Sequence, residues 1–88
     1  MTKPVNVREW CAEIDEEIIL ADGFDDAFVG VAERCGMGPV AVYDRERCID
    51  VLTREHAASY EEAEEYFDFN VVGAYVGERT PMFITRKP

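Results

Sequence analysis

One block near the C-terminal end of this 88-residue chain constrains its fold more than any other stretch. Residues 59–83 begin with Ser59 and, three positions on, Glu62. This pair fits a capping box, in which a serine hydroxyl and a glutamate carboxylate satisfy free N–H groups of a first helical turn. Apolar residues then recur at helical spacing until Gly73 interrupts them. The block predicts a helix that starts at Ser59 and stops by Gly73, and a last short strand at residues 82–84.

The predicted helix has an inner and an outer face. The residues expected to point inward are Ala63, Tyr66, Phe67, Asn70 and Val71. The residues on the opposite, acidic face are Glu61, Glu62, Glu64, Glu65 and Asp68. Acids in a first turn suit the positive end of the helix dipole, which gives Glu61 and Glu62 a structural explanation. Asn70 is expected to be a buried core amide or a break in the helix, rather than a ligand contact.

Helical spacing recurs twice in the first half of the chain. An amphipathic helix is predicted from about residue 5 to residue 15, with Pro4 before its start. The second stripe comprises Phe24, Ala27, Phe28, Val31, Ala32 and Cys35. It predicts a helix capped by Asp22 or Asp25 and ended by Gly36. Between the two helices, residues 17–21 either continue the first helix or form a short strand, and the β-branched pair before an Asp-Gly turn favours the strand.

The middle of the chain predicts a loop, a strand and a further helix. Residues 36–39 form the loop, and residues 40–43 read as a strand. Asp44 is a good N-cap for a helix that carries Cys48, Ile49 and Leu52 inward. Residues 1–88 are too few for more than one domain. We therefore expect a single α+β domain with three to four helices packed on one face of a short two- to three-stranded sheet.

Charge is strongly segregated along the chain. The net charge is −10, from 19 acidic and 9 basic residues. No Lys or Arg lies between Arg8 and Arg34, nor between Arg54 and Arg79, and these two segments hold sixteen of the acids. Such a negative field disfavours nucleic acid or an anionic membrane as a partner and favours a basic protein surface. Two interpretations stay open: an acidic face that only aids solubility, and one that imitates nucleic-acid phosphates.

The sequence gives little support for catalysis or for a bound cofactor. Three cysteines and one histidine (Cys11, Cys35, Cys48 and His56) are scattered, so no metal site is expected. Cys35 and Cys48 are expected on apolar helix faces, and His56 in a polar connector. The carboxylates are expected on solvent-exposed helix faces, which lack the apolar surroundings that would raise their pKa toward neutrality. We predict no enzyme, no metal and no cofactor.

The location expected from the sequence is the cytoplasm. The apolar runs are only a few residues long, too short to span a membrane. The N-terminus has no apolar core of signal-peptide length.

The motifs of the C-terminal block also carry a resemblance. They are Tyr60-Glu-Glu-Ala63, Glu65-Tyr-Phe67, Phe69-Asn-Val71, Gly73-Ala74, Val76-Gly-Glu78 and Thr80-Pro81. Upstream matches are Asp26-Ala-Phe-Val-Gly30, Arg34-Cys-Gly36 and Ala41-Val-Tyr-Asp44. The pattern resembles an uncharacterised family of short proteins of tailed bacteriophages and prophages, over roughly residues 18–84. The first seventeen residues lie outside the resemblance.

This resemblance implies a context rather than an activity. Small acidic phage proteins without catalytic motifs are often inhibitors of host machinery, including CRISPR and other defence complexes. We therefore expect a binding protein that docks on a basic, nucleic-acid-handling host protein. The expected contact residues are Glu61, Glu62, Glu64, Glu65 and Asp68, followed by Asp25 and Asp26.

Other functions remain open at this point. One is a small-ligand or nucleotide-binding module whose pocket is lined by residues 36–39 and 73–80. Another is an accessory protein of phage DNA metabolism or assembly. The sequence also permits an oligomer, although Trp10 and Tyr75, the residues that could anchor one, are expected in the core.

Overall fold

The computed structural model describes residues 6–88, which form three α-helices and one three-stranded sheet. The elements in chain order are α1 (Val7–Ile14), a 3₁₀ turn (Asp25–Ala27), β1 (Phe28–Arg34), β2 (Met37–Asp44), α2 (Arg45–His56), α3 (Tyr60–Phe67), a π-helical turn (Asp68–Val72) and β3 (Met82–Ile84). The predicted α+β class, with three to four helices and a short sheet, is confirmed.

The sheet has β2 at its centre and mixes two kinds of pairing. β1 and β2 form an antiparallel hairpin through a turn in which Gly36 has a φ of 77°. A residue with a Cβ rarely adopts this left-handed conformation, so glycine suits the position. β3 pairs with β2 in parallel, from Val42 opposite Met82 to Asp44 opposite Ile84. A parallel pair needs a long crossover connection, and α2, α3 and the π-helical turn supply it.

The prediction of a helix over the second apolar stripe is wrong. Residues 25–27 form the 3₁₀ turn, and residues 28–34 form β1. Cys35, expected on a buried helix face, is exposed in the hairpin turn. Gly36 is left-handed as predicted, but it turns a hairpin rather than ending a helix. Residues 37–39, expected in a loop, already belong to β2.

A shift of register in β1 explains the misleading spacing. Phe28 pairs with Tyr43 and Val31 pairs with Ala41, so residues three apart on β1 face residues two apart on β2. The extra residue is Val29, in an irregularity of the β-bulge kind. Tyr43 and Ala41 both belong to the buried core, so their partners Phe28 and Val31 lie on the same side of the sheet. The three-residue spacing between Phe28 and Val31 is also the spacing of one helix face.

The strand predicted at residues 17–21 is also absent from the described part of the chain. This segment is irregular, and its half-buried Ile18, Leu20 and Ala21 pack against the core. The backbone N–H of Ala21 donates to the Tyr43 hydroxyl at 2.9 Å instead of to a strand neighbour. At the start of the segment the chain turns, and the Ile18 N–H donates to the Asp15 carbonyl oxygen at 3.2 Å.

The two helices of the crossover begin as predicted. Asp44 caps α2, and its Oδ1 accepts from the N–H groups of Glu46 at 3.0 Å and Arg47 at 3.4 Å. The predicted inward residues Cys48, Ile49 and Leu52 are buried. Burial raises the pKa of the Cys48 thiol to about 12, with a smaller contribution from the charge of Asp44.

Aromatic side chains fill the space between the sheet and these helices. Phe67 of α3 is fully buried, and its ring centroid lies 5.0 Å from that of Phe83 in β3 and 6.4 Å from that of Phe24. Tyr43 of β2 contacts both Phe28 and Phe83. These rings connect α3 with the sheet and with the 3₁₀ turn, so they fix the position of the crossover.

The N-terminal helix is peripheral to this core. Its predicted range of 5–15 agrees with α1, except that Pro4 and residue 5 lie outside the described residues. Cys11 is its one buried residue, whereas Ile14 is half-exposed. Trp10, expected in the core, is partly exposed and places its ring against Phe28 at 6.0 Å.

Candidate protein-docking surface

The capping box at the start of α3 engages one of the predicted contact residues. The backbone N–H of Glu62 donates to the Ser59 hydroxyl at 3.2 Å, and the Ser59 N–H donates back to the Glu62 carboxylate at 3.1 Å. The bond from the Ser59 N–H favours the ionised carboxylate and lowers the pKa of Glu62. Glu62 therefore has a structural role, and its exposed side chain still adds negative charge to the surface.

Arg45 binds two more of the predicted contact residues. Its guanidinium donates to Asp68 at 2.8 and 3.2 Å and to Glu64 at 3.3 Å. The same guanidinium lies over the Phe67 ring, 5.2 Å from its centroid. The hydrogen bonds from Arg45 lower the pKa of Asp68. One cation thus offsets part of the charge of Glu64 and Asp68, and the acidic face is less uniform than the sequence predicts.

Glu61 and Glu65 are the carboxylates of α3 that remain open to a partner. Both are exposed, and none of the ion pairs formed within residues 6–88 includes either of them. The charge that this helix offers to a partner is therefore concentrated on these two residues, with Glu62 beside them.

Asp25 and Asp26 lie on a different element from the other predicted contact residues. They belong to the 3₁₀ turn, where both are exposed and Asp26 lies 3.9 Å from Arg54 of α2. The preceding Phe24 contacts Phe67, which connects this turn with α3 through the core. No hydrogen bond or ion pair recorded within residues 6–88 joins the two aspartates to the carboxylates of α3.

The predicted inner face of α3 is correct for three residues and wrong for two. Ala63 and Phe67 are buried and Val71 is half-buried, whereas Tyr66 and Asn70 are exposed. The π-helical turn explains the position of Asn70, because i→i+5 hydrogen bonding makes each residue rotate less about the helix axis than in an α-helix. This lag carries Asn70 out toward solvent and brings Val71 toward the core.

Several large apolar side chains along and after α3 are left in solvent. They are Tyr66, Phe69, Val72, Tyr75 and Val76. Phe69 and Tyr75 are each 77% exposed, so the expectation that Tyr75 belongs to the core is wrong. Scattered apolar residues are normal on a protein surface, but several within one short segment are characteristic of an interaction site.

Acidic side chains are followed by aromatic side chains along one stripe of this segment. Glu62, Glu65, Tyr66, Phe69 and Asn70 line one open groove. Their spacing of three and four residues places them on a single helix face, and we call them the outer stripe. The Asn70 amide donates to the Tyr66 carbonyl oxygen at 3.2 Å, which holds the end of the stripe to the preceding turn. On its other side the Tyr66 ring lies 5.8 Å from His56 of α2.

The two segments expected to line a ligand pocket do meet, but a side chain fills the junction. The guanidinium of Arg79 occupies the space where Gly38 would carry a Cβ, and it donates to the Pro39 carbonyl oxygen at 3.3 Å. Arg79 also pairs with Asp15 at 3.2 Å and with Glu17 at 3.8 Å. The cation is therefore engaged within the protein and is not available to a phosphate.

A small apolar groove lies elsewhere along the second of these segments. It has a volume of about 290 Å³, and the residues along it include Phe24, Val71, Val76 and Phe83. Pockets that hold drug-sized ligands start at about 300 Å³ and carry a few convergent polar groups. The groove is at the lower limit of this range.

The groups with chemical reactivity are dispersed. Within residues 6–88, no three or more His, Cys, Asp or Glu side chains are grouped so that they could hold a metal ion. Cys11 and Cys48 are buried and Cys35 is exposed. In the same part of the chain, no helix combines the length and the apolar character needed to cross a membrane.

Comparison of the chain with models of protein families, with characterised proteins and with solved structures gave no match.

Proposed function

We propose that this chain is a non-enzymatic binding protein of phage or prophage type, which docks the outer surface of α3 on a basic surface of a bacterial host protein. The proposed partner class is nucleic-acid-handling proteins, with CRISPR and other defence complexes among them. Docking there would inhibit the partner by covering its nucleic-acid site. The resemblance of residues 18–84 to small phage proteins supports the context.

The observation that carries this proposal is a helix surface on which unpaired carboxylates occur together with exposed aromatic rings, since Glu65 lines one groove with Tyr66 and Phe69. Residues 55–78 contain no Lys or Arg. Arg45 reaches into this region and pairs with Glu64 and Asp68, but not with Glu61 or Glu65. Exposed carboxylates steer a partner of opposite charge toward this surface, and exposed aromatic rings can anchor it there.

The structure sharpens the mutational test. Reversing Glu64 would set a new cation against Arg45 and would disturb the fold, so the informative variant is the double Glu61→Gln/Glu65→Gln. A matched control is Glu13→Gln/Glu16→Gln, which removes the same charge from exposed carboxylates at and just beyond the end of α1. Both variants keep side-chain length, and neither removes an ion pair found within residues 6–88.

The assay is affinity capture from a bacterial lysate at low and high salt, with partners identified by mass spectrometry. We expect a basic nucleic-acid-handling protein that elutes with salt, because salt screens exposed charges beyond about 10 Å at 0.1 M. The α3 variant should capture less of it than the α1 control. Equal capture by wild type and both variants would refute docking through α3, and equal loss in both would show that only total charge matters.

A further inference from the structure

The outer stripe carries aromatic rings as well as carboxylates, and this decides what kind of nucleic acid it can imitate. Glu62 lies one helical turn before Tyr66, and Glu65 lies one turn before Phe69. The stripe therefore repeats an acid–ring pair twice, three residues apart. The rings are 48% and 77% exposed for Tyr66 and Phe69 respectively.

The core of the protein does not account for the exposed Phe69 ring. None of the ring–ring contacts within residues 6–88 includes Phe69, although Phe67, two positions away, takes part in two of them. An aromatic ring placed in water next to open carboxylates is the composition of an interface anchor rather than of a solubilising surface.

Duplex and single-stranded nucleic acids present different chemistry to a protein. A duplex exposes its phosphates and keeps the faces of its bases stacked inside, so proteins hold its backbone with cations and other hydrogen-bond donors. A single strand exposes base faces as well, and the grooves that bind it combine cations with aromatic side chains on which bases stack. The outer stripe offers both kinds of group to a partner.

Building on the proposed function, we propose that the outer stripe imitates a single strand of nucleic acid, and that its partner surface is a single-strand-binding groove. Glu65 takes the place of one phosphate against basic side chains, and Glu62, which stays exposed although its carboxylate accepts from the Ser59 N–H, takes the place of another. Tyr66 and Phe69 take the place of unstacked bases against aromatic side chains. The negative charge of α3 selects the basic groove, and the rings select grooves with aromatic platforms over grooves built for duplex.

A pair of model peptides tests this directly. Both are fluorescein-labelled and carry the same number of lysines; the lysines alternate with tryptophan in one peptide and with glycine in the other. Binding is followed by fluorescence anisotropy at low salt. Since stacking of one base on an aromatic ring contributes about 1–3 kcal/mol, we expect wild type to bind the tryptophan peptide at least about fivefold more tightly.

Variants assign that preference to the ring. Phe69→Leu keeps an apolar side chain without the ring and Phe69→Ala removes both, and each should lose most of the preference while still binding the glycine peptide. Ile14→Ala removes apolar surface from α1 and should keep the preference. Equal affinity of wild type for the two peptides, or an unchanged preference in both Phe69 variants, would overturn the single-strand proposal while leaving acidic docking in place. Failure of both peptides to bind would overturn both proposals.

Competition for the captured partner gives a second readout. The partner bound to immobilised wild type is challenged with single-stranded oligodeoxythymidine or with duplex at equal phosphate concentration. We expect the single strand to release the partner at a concentration at least about fivefold lower. Release by both at the same concentration would contradict the proposal and would indicate a surface that recognises phosphates alone.

Discussion

The sharpest test of the structure compares two phenylalanines that stand two positions apart. Phe67 is fully buried between Phe83 and Phe24, with the guanidinium of Arg45 over its ring. Phe69 is largely in solvent. The same substitution, Phe→Ala, therefore removes a packed core ring in one case and an exposed ring in the other.

The expected magnitudes differ several-fold. Truncation of a buried Phe costs about 3–5 kcal/mol, from lost burial and from the cavity left behind. A domain of this length has a free energy of unfolding of roughly 4–13 kcal/mol, so Phe67→Ala removes a large part of it. At about 4–8 °C per kcal/mol, its Tm should fall by roughly 12–40 °C. Phe69→Ala should stay within about 0.5 kcal/mol of wild type.

Urea unfolding followed by far-UV circular dichroism measures both variants, with the slope m as a check that the unfolding transition keeps its character. Comparable losses at the two positions would refute the orientation of the π-helical turn. A destabilised Phe69→Ala beside a stable Phe67→Ala would place the wrong face of α3 against the sheet. The stability of Phe69→Ala also serves as the folding control for the peptide experiment.

Three further predictions concern the cap, the acid limb and the thiols. Asp44→Ala should cost about 1 kcal/mol more than Asp44→Asn in urea unfolding, because asparagine still caps a helix; equal losses would mean that the cap contributes nothing. The pKa of Asp68 is lowered in the folded protein, so its contribution to stability is complete above about pH 4 and is lost as the pH falls through the folded pKa. Asp68→Asn should therefore weaken the pH dependence of unfolding below about pH 4, and an unchanged acid limb would argue against the pairing with its arginine. A thiol reagent should label Cys35 at once and buried Cys11 and Cys48 only after unfolding, whereas fast labelling of Cys48 would contradict its burial.

Local signals in the sequence identified the parts of the fold that depend on short-range contacts. Asp44 and the pair of Ser59 and Glu62 predict helix starts because caps act within one turn of the chain. The strand at residues 40–43 and the last strand at 82–84 are likewise found. These elements can be recognised from their own residues alone.

The errors arose where distant residues decide the structure. The spacing of Phe28 and Val31 fits a helix, but a bulge in β1 produces the same spacing against β2. Residues 17–21 favour a strand by composition, but they meet the core through side chains and through a hydrogen bond to the distant Tyr43 hydroxyl. Neither cause can be read from the residues concerned.

The candidate site was predicted in composition but not in detail. The acidic residues of α3 were identified, but the pairing of Glu64 and Asp68 with Arg45 joins residues 19 and 23 positions apart. The exposure of Tyr66 was missed because an aromatic residue at helical spacing normally belongs to a core. The available signal was the continuation of apolar residues past Gly73, since Tyr75 and Val76 lie beyond the predicted end of the helix.

The parallel pairing of β2 and β3 has a consequence for how the outer stripe could work. The stripe lies in the chain that leaves β2 and returns to β3, so both ends of this excursion are anchored in adjacent strands of one sheet. A partner that binds the stripe would therefore bind a segment that is held at both ends rather than a free end of the chain. A segment held at both ends, here by β2 and the three-residue edge strand β3, has less conformational entropy to lose on binding than a free arm would have.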